Sequence, residues 1–194
     1  MSSIRISHST KKINTRIKIP GSKSESNRLL ILNALSGNKL QIDNLSTARD
    51  TQNLIKVLAS EAKEVNVLDA GTAMRFLTAY YCMANQSRII TGSERMKQRP
   101  IAALVNALSE LGFDIRYTAK EKFPPLEIVP LKNFDKFDNE VFIEGNVSSQ
   151  FITALLLIAP FLFTDLKINF TTEITSRSYI EMTLNILKHF NIEH

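Results

Sequence analysis

The sequence contains one cysteine, three histidines and no tryptophan among its 194 residues. A single thiol, Cys82, forms no disulfide within the chain and excludes a cysteine-rich zinc site. His8, His189 and His194 show no HxxxH spacing, so we expect no metal site built on them. Cys82 lies in an apolar run with helical periodicity, which predicts a buried structural thiol.

Long hydrophobic runs are also missing. The longest one, residues 151–163, is too short to span a membrane and contains Pro160. The first ten residues are polar and lack the apolar centre of a signal peptide. These absences predict a soluble protein of a reducing compartment, the cytoplasm, with no membrane partner.

The charge balance is mildly basic, with 24 Lys and Arg against 19 Asp and Glu, or a formal charge of +5. The basic residues are scattered and form no stripe or tail, which argues against a nucleic-acid partner. A modest excess of positive charge suits small anionic substrates. Hydrophobic residues make up 44% of the chain, enough for a sizeable core.

Helical and strand-like patterns alternate along the chain. Helices are predicted at 25–35, 51–59, 72–83, 101–111, 149–158 and 179–190, and strands at 40–45, 65–68, 88–91, 113–117, 126–129, 141–143 and 166–170. The order helix, strand, helix, strands recurs about three times. Because no Gly/Ser-rich linker interrupts it, we expect residues 1–194 to form one α/β domain whose third unit lacks its closing strands.

Several predicted helices begin with small hydroxyl residues. Helix N-termini expose unpaired N–H groups and partial positive charge, so they bind anions. In the segment GSKSESNR, Lys23 and Ser24 fall in the first turn and Arg28 lies four residues after Ser24, on the same face. These groups suit a phosphate or carboxylate, but the spacing also fits an ordinary serine cap with solvated charges.

The same ambiguity applies to two segments in the middle of the chain. Gly71 would let a ligand approach the backbone, whereas Asp69 or Thr72 would simply cap the helix. Arg99 precedes a helix that Pro100 is suited to open. A cation there is favourable if an anion lies between it and the helix, and otherwise belongs to a solvated basic loop.

Two segments near the end of the chain also carry polar groups before helices. Ser148, Ser149 and Gln150 lie at the start of a very apolar helix, and Ser176 and Tyr179 lie at the start of the last one. All of them fit either anion binding or simple capping. No GxSxG element, P-loop or dinucleotide fingerprint is present.

Taken in order, five motifs resemble the enolpyruvyl transferase family of 5-enolpyruvylshikimate-3-phosphate (EPSP) synthases. They cover the chain from about residue 17 to its end and read PGSKSESNR, DAGTAMRF, GSERMKQRPI, GNVSSQFITALLLIAP and TSRSYIEMTLNILKHF. The resemblance implies two similar domains of βαβαββ units with buried parallel helices, an inside-out α/β barrel, of which this chain is most of one. It implies transfer of the enolpyruvyl group of phosphoenolpyruvate to the 5-hydroxyl of shikimate-3-phosphate, a step of aromatic amino-acid biosynthesis.

The resemblance also implies roles for ten residues. Those expected to bind shikimate-3-phosphate are Lys23, Ser24, Arg28, Ser148, Ser149, Gln150, Ser176 and Tyr179. Those expected at phosphoenolpyruvate are Lys23, Gly71, Arg99 and Gln150. Lys23 would be the catalytic residue, stabilising charge on the enolpyruvyl group, and no metal or cofactor is implied.

Length is the largest departure from the family, whose chains are about twice as long and monomeric. The acid and base groups would lie in the other half, so we expect this chain to have no turnover alone and to bind shikimate-3-phosphate weakly. Asp69 stands where the family often has Asn and Phe76 where proline is common, which leaves glyphosate sensitivity open. Residues 59–67 are too few for the usual strand pair, so the first unit is expected to be trimmed.

Two other interpretations remain. The sister transferase acting on UDP-N-acetylglucosamine typically has Lys-Asn at the first motif and a loop cysteine, whereas here Ser24 follows Lys23 and Cys82 lies in a helical run. A stand-alone phosphate-binding module without catalysis is also compatible with the sequence.

Overall fold

The computed structural model describes residues 3–7, 9–10, 12–132 and 138–194. Its α-helices are α1 (Lys23–Leu35), α2 (Arg49–Leu58), α3 (Gly71–Met83), α4 (Ala102–Glu110), α5 (Ser149–Ile158) and α6 (Arg177–His189). Its strands are β1 (Glu64–Asn66), β2 (Arg88–Thr91), β3 (Asp114–Tyr117), β4 (Leu126–Val129), β5 (Glu140–Ile143) and β6 (Lys167–Phe170). The predicted alternation of helices and strands is confirmed.

Helices α3 and α5 form the centre of the molecule. Eleven of the thirteen residues of α3 and eight of the ten residues of α5 are buried. A helix that is apolar on every side must be enclosed by other elements. By contrast, α2 buries one stripe, formed by Thr51, Leu54 and Val57, and therefore lies at the surface.

The second unit of the chain is complete. It runs β1, α3, β2, α4, β3, β4, and its strands form one sheet in the order β1-β2-β4-β3. Strand β2 is parallel to β1 and antiparallel to β4, which is antiparallel to β3. This is the βαβαββ pattern that the family resemblance implies.

The third unit repeats the first part of this pattern. Strands β5 and β6 flank α5 and pair in parallel, as β1 and β2 do around α3. In the described part of the chain no strand pairs with the other edge of β6. The residues on this small sheet include two exposed aromatics, Phe142 and Phe170.

The strand predicted at residues 40–45 is wrong. Asn44 has a φ of 53°, in the left-handed region, which interrupts extended backbone. The backbone here bonds to side chains of α1, with Leu40 N–H donating to Asn33 at 2.8 Å and Ser46 N–H donating to Ser26 at 2.9 Å. A strand at 40–45 would need a partner strand. Residues 59–67 form only β1, and β1 pairs with β2 in the four-stranded sheet.

Three expectations from the sequence concern a buried thiol, the histidines and a membrane span. Cys82 is 3% exposed, so the predicted buried thiol is confirmed; burial raises its pKa. His8 lies outside the described residues. No helix in the described ranges is long and apolar enough to cross a bilayer.

Candidate active site

The N-termini of the α-helices meet at one end of the molecule. The Gln150 amide of α5 donates to the Thr72 hydroxyl of α3 at 3.2 Å, and Lys23 of α1 pairs with Asp50 of α2 at 3.1 Å. All four residues lie in the first turn of their helices. The helices joined by each contact therefore begin side by side.

Two buried arginines extend this arrangement to the remaining helices. Arg75 donates to the carbonyl of Pro100, just before α4, at 3.0 Å. Arg28 donates to the carbonyl of Tyr179, in the first turn of α6, at 3.0 Å. Because each N-terminus carries unpaired N–H groups and partial positive charge, this end of the molecule favours anions.

The beginning of α1 combines a cap with free functional groups. Ser22 is the N-cap, and its hydroxyl accepts from Glu25 N–H at 3.4 Å. The serine cap considered from the sequence is thus Ser22, and Ser24 lies inside the first turn. Lys23 is exposed and held by Asp50, so its ammonium stands at the helix start in a defined place.

Arg28 is 4% exposed, and its guanidinium is bonded by protein on most sides. Nε donates to Thr183 Oγ1 at 2.8 Å, Nη1 to the Ser24 carbonyl at 2.8 Å, and Nη2 to Thr153 Oγ1 at 3.2 Å and Tyr179 O at 3.0 Å. Burial lowers the pKa of Arg28 to about 10, so it remains charged at neutral pH.

The beginning of α3 brings two further guanidiniums together. Gly71 is buried beneath the guanidinium of Arg99, which a Cβ at Gly71 would overlap. Arg75, 3% exposed, donates to the Gly71 carbonyl at 3.2 Å. Burial, and secondly the charge of Arg99, lower the pKa of Arg75 to about 10. Like charges this close favour an anion between them.

A cavity of about 330 Å³ opens beside Gly71 and is lined by Asp69, Arg95, Met96 and Arg99. Its volume suits a small substrate. Asp69 does not cap α3, as one interpretation of the sequence proposed, because its carboxylate accepts from the Ser93 hydroxyl. Thr72 is not a cap either, since it lies within the first turn and accepts from Gln150.

The beginning of α5 carries its three predicted residues in different environments. Ser148 is the exposed N-cap and accepts from Gln150 N–H at 3.4 Å. Ser149 is 8% exposed. The Gln150 side-chain oxygen is buried and has no hydrogen-bond partner among the described residues. An unpaired buried acceptor of this kind is unfavourable unless a ligand or water satisfies it.

The beginning of α6 is the most open part of the site. Ser176 is the N-cap residue, with a left-handed φ of 53° and no side-chain cap bond. Its hydroxyl is therefore not occupied by capping. Tyr179 is 46% exposed, and its backbone carbonyl anchors Arg28.

The structure places all ten predicted residues at this one end of the molecule. Sequence reasoning did not find three others that contact them, namely Asp50, Thr153 and Thr183. Asp50 lies in the first turn of α2, where acidic residues are common because they interact favourably with the helix dipole. Its type and position therefore gave no sign of a contact with Lys23. The two threonines contact Arg28 from 125 and 155 residues away, and no local pattern signals such contacts.

A sequence model of the EPSP synthases, described as 3-phosphoshikimate 1-carboxyvinyltransferase, matches residues 7–60 and 58–193. The chain belongs to the EPSP synthase family. A 3-phosphoshikimate 1-carboxyvinyltransferase of Bacteroides fragilis (strain YCH46) is 49% identical over 178 residues, covering 92% of this chain and 43% of that protein. One of Vibrio vulnificus (strain YJ016) is 37% identical over 210 positions, covering 94% and 48%.

Solved structures agree on the fold. An EPSP synthase from Acinetobacter baumannii superposes with a TM-score of 0.71 at 16% identity, covering 90% of this chain and 43% of that one. The chain thus spans less than half the length of the EPSP synthases that it matches.

Proposed function

We propose that this chain supplies the N-terminal part of an active site that transfers the enolpyruvyl group of phosphoenolpyruvate to shikimate-3-phosphate. The observation that carries the proposal is the set of helix N-termini meeting at one end around two buried guanidiniums. In the described ranges, neither Arg28 nor Arg75 has a carboxylate within salt-bridge distance. Burying a cation without a counter-ion costs desolvation free energy, and two anionic substrates would offset that cost.

The shikimate-3-phosphate site would lie between α1, α5 and α6. The residues assigned to it are Lys23, Ser24, Arg28, Ser148, Ser149, Gln150, Ser176 and Tyr179. The bonds from Arg28 to Thr153 and to Tyr179 support this grouping, because they hold the starts of these three helices together. The exposed hydroxyls of Ser148 and Ser176 leave donors available to a phosphate.

The phosphoenolpyruvate site would lie between α1, α3 and α5, at Lys23, Gly71, Arg99 and Gln150. The guanidinium of Arg99 above Gly71 offers the bidentate geometry that carboxylates and phosphates favour. The bond from Gln150 to Thr72 keeps the amide between α3 and α5, where it can border both substrates.

The proposed reaction is an addition followed by an elimination. The 5-oxygen of shikimate-3-phosphate bonds to C2 of phosphoenolpyruvate, the hydroxyl proton leaves, and the methylene carbon gains a proton. The C2–O bond to phosphate then breaks, phosphate departs, and a methyl proton is lost to restore the double bond. Lys23 would stabilise the charge that develops at this centre, while the proton-transfer groups would lie outside this chain.

We further propose that residues 1–194 are the N-terminal portion of a longer enzyme, forming most of one domain. In the complete second unit, β2 pairs on both edges. By the same pattern, β6 would receive an antiparallel strand from residues that follow α6. The second domain would then close over the helix N-termini.

Titration of the ¹⁵N-labelled chain with shikimate-3-phosphate tests the proposal. We expect amide shifts in the first turns of α1, α5 and α6 that saturate in the millimolar range, and much smaller shifts with unphosphorylated shikimate. The variant K23Q should weaken the response, whereas K56Q, which removes a lysine in the last turn of α2, should not. Absence of shifts at millimolar ligand, or equal shifts with shikimate, would contradict the proposed function.

A further inference from the structure

Helices α1, α3 and α5 carry equivalent side chains about one turn after their starts. Arg28 and Arg75 each lie four residues after a first-turn residue, Ser24 and Gly71, and each donates through Nη1 to that residue's carbonyl, at 2.8 Å and 3.2 Å. The third helix, α5, has Thr153 at this position, four residues after Ser149. The repeat thus carries two arginines and one threonine.

The threonine at the third position accepts from the first arginine. Thr153 Oγ1 is 3.2 Å from Nη2 of Arg28, and Thr153 is fully buried. A third arginine there would bring another buried cation against Arg28, at a further desolvation cost and with like-charge repulsion. A hydroxyl instead provides an acceptor for a guanidinium that forms no salt bridge within the described residues.

A second threonine completes the arrangement from α6. Thr183, also fully buried, lies 2.8 Å from Nε of Arg28 and 3.4 Å from the Thr153 hydroxyl. Its own hydroxyl proton goes to the Tyr179 carbonyl at 2.9 Å, which leaves its lone pairs for Arg28. The ring of Phe76 lies 5.7 Å below the guanidinium carbon.

These contacts account for four of the five N–H groups of Arg28. One N–H of Nη1 has no partner in the described part of the chain. A guanidinium has a rigid, planar set of donors. Fixing four of them therefore fixes the direction of the fifth.

We propose that Thr153 and Thr183 are positioning residues, which hold the Arg28 guanidinium so that its remaining N–H and its charge face the phosphorylated substrate. This inference rests on the proposed function for the identity of the ligand. The contacts of Arg28 with Thr153 and Thr183 are independent of that identity.

The test uses the full 194-residue chain with ¹⁵N-labelled arginine. In the free chain, Arg28 Nε–H should give a shifted, slowly exchanging signal, assigned by its loss in R28K. The variant T183V should move this signal toward that of a free arginine and raise the dissociation constant for shikimate-3-phosphate about tenfold. T183S should restore both, and T153V should reproduce the weakened binding if T183V does not fold.

Thr78 provides the matched control. It is equally buried, but among the described residues its hydroxyl bonds only the Met74 carbonyl of its own helix. T78V should leave the Arg28 signal and the affinity unchanged.

The outcomes separate the two proposals. If the wild-type chain does not bind shikimate-3-phosphate, the proposed function fails, and the Arg28 signal alone decides the positioning role. If T183V and T153V leave that signal where it is, or if T78V moves it as much as they do, the positioning role is wrong.

Discussion

Arg28 and Arg75 are charged residues at buried positions, where a hydrophobic residue would avoid the free-energy cost of burying a charge. For each, burial lowers the pKa from 12.5 to about 10. A base with a lowered folded pKa destabilises the fold wherever it is charged, so this penalty applies fully below pH 10 and disappears as pH rises toward 12.5. The difference corresponds to roughly 3 kcal/mol for each residue.

This penalty predicts the behaviour of R28M. Methionine removes the net cost of burying the charge, roughly 3 kcal/mol, but also four hydrogen bonds of about 1 kcal/mol each. We expect a free energy of unfolding within about 1 kcal/mol of wild type, while binding of shikimate-3-phosphate is lost. Urea denaturation and ligand titration measure the two quantities. A large loss of stability together with intact binding would show that Arg28 is structural only.

A substitution at Gly71 should weaken binding of the other substrate, phosphoenolpyruvate. In G71A, the new methyl group overlaps the guanidinium of Arg99, the far end of a flexible side chain, which can move aside. Since Ala suits a first helical turn, we expect unchanged stability but an affinity for phosphoenolpyruvate about tenfold lower, or about 1.4 kcal/mol. Titration with phosphoenolpyruvate at saturating shikimate-3-phosphate measures this loss.

Gly37 is the control for that change. It has a φ of +74° with open space around it, so G37A strains the backbone far from the site. It should lower stability by about 1 kcal/mol and leave phosphoenolpyruvate binding alone. If both variants behave alike, the overlap with Arg99 is not what limits binding.

At the scale of helices and strands, local sequence patterns predicted most of the fold. The bounds of α5, β2 and β4 were predicted to the residue, because apolar periodicity and flanking polar turns are local signals. The strand prediction for 40–45 failed because a strand depends on a pairing partner, and the described part of the chain offers none there. The site followed the same division, since Lys23 and Arg99 are marked by nearby motifs, whereas Thr153 and Thr183 are defined by helix packing.

Contact between α1 and α2 offers a prediction at this scale. Thr51 of α2 donates to the Asn27 side-chain oxygen of α1 at 2.8 Å, and both residues are fully buried. T51V leaves that oxygen unpaired and should destabilise the chain by about 1–3 kcal/mol. T51S, which keeps the hydroxyl, should lose less. The midpoint of urea denaturation, at constant slope, measures both.

A double substitution checks the cause. The Asn27 side-chain nitrogen is already without a partner among the described residues. Replacing both polar groups in N27L/T51V should therefore recover part of the stability lost in T51V. An additive loss would mean that the hydrogen bond between α1 and α2 is not the source of the effect.

At the scale of the whole molecule, two surfaces matter, namely the unpaired strand edge of β6 and the end at which the helices begin. The edge of β6 is unpaired in the described ranges, with Phe142 and Phe170 exposed nearby at 57% and 37%. The helix N-termini form the other, where two of the described carboxylates are engaged by neighbouring side chains. Asp50 is occupied by Lys23 and Asp69 by Ser93.

These two surfaces predict that catalysis needs more chain than the 194 residues. The purified protein should show no release of phosphate from phosphoenolpyruvate and shikimate-3-phosphate, because we propose that the groups that move protons lie outside these residues. Adding the part of the Bacteroides fragilis relative that this chain does not cover should restore turnover, by supplying both the strands for β6 and the second domain. K23Q should abolish the restored activity and K56Q should not. Turnover by the 194 residues alone would refute this division of the site, and so would restored activity that is indifferent to Lys23.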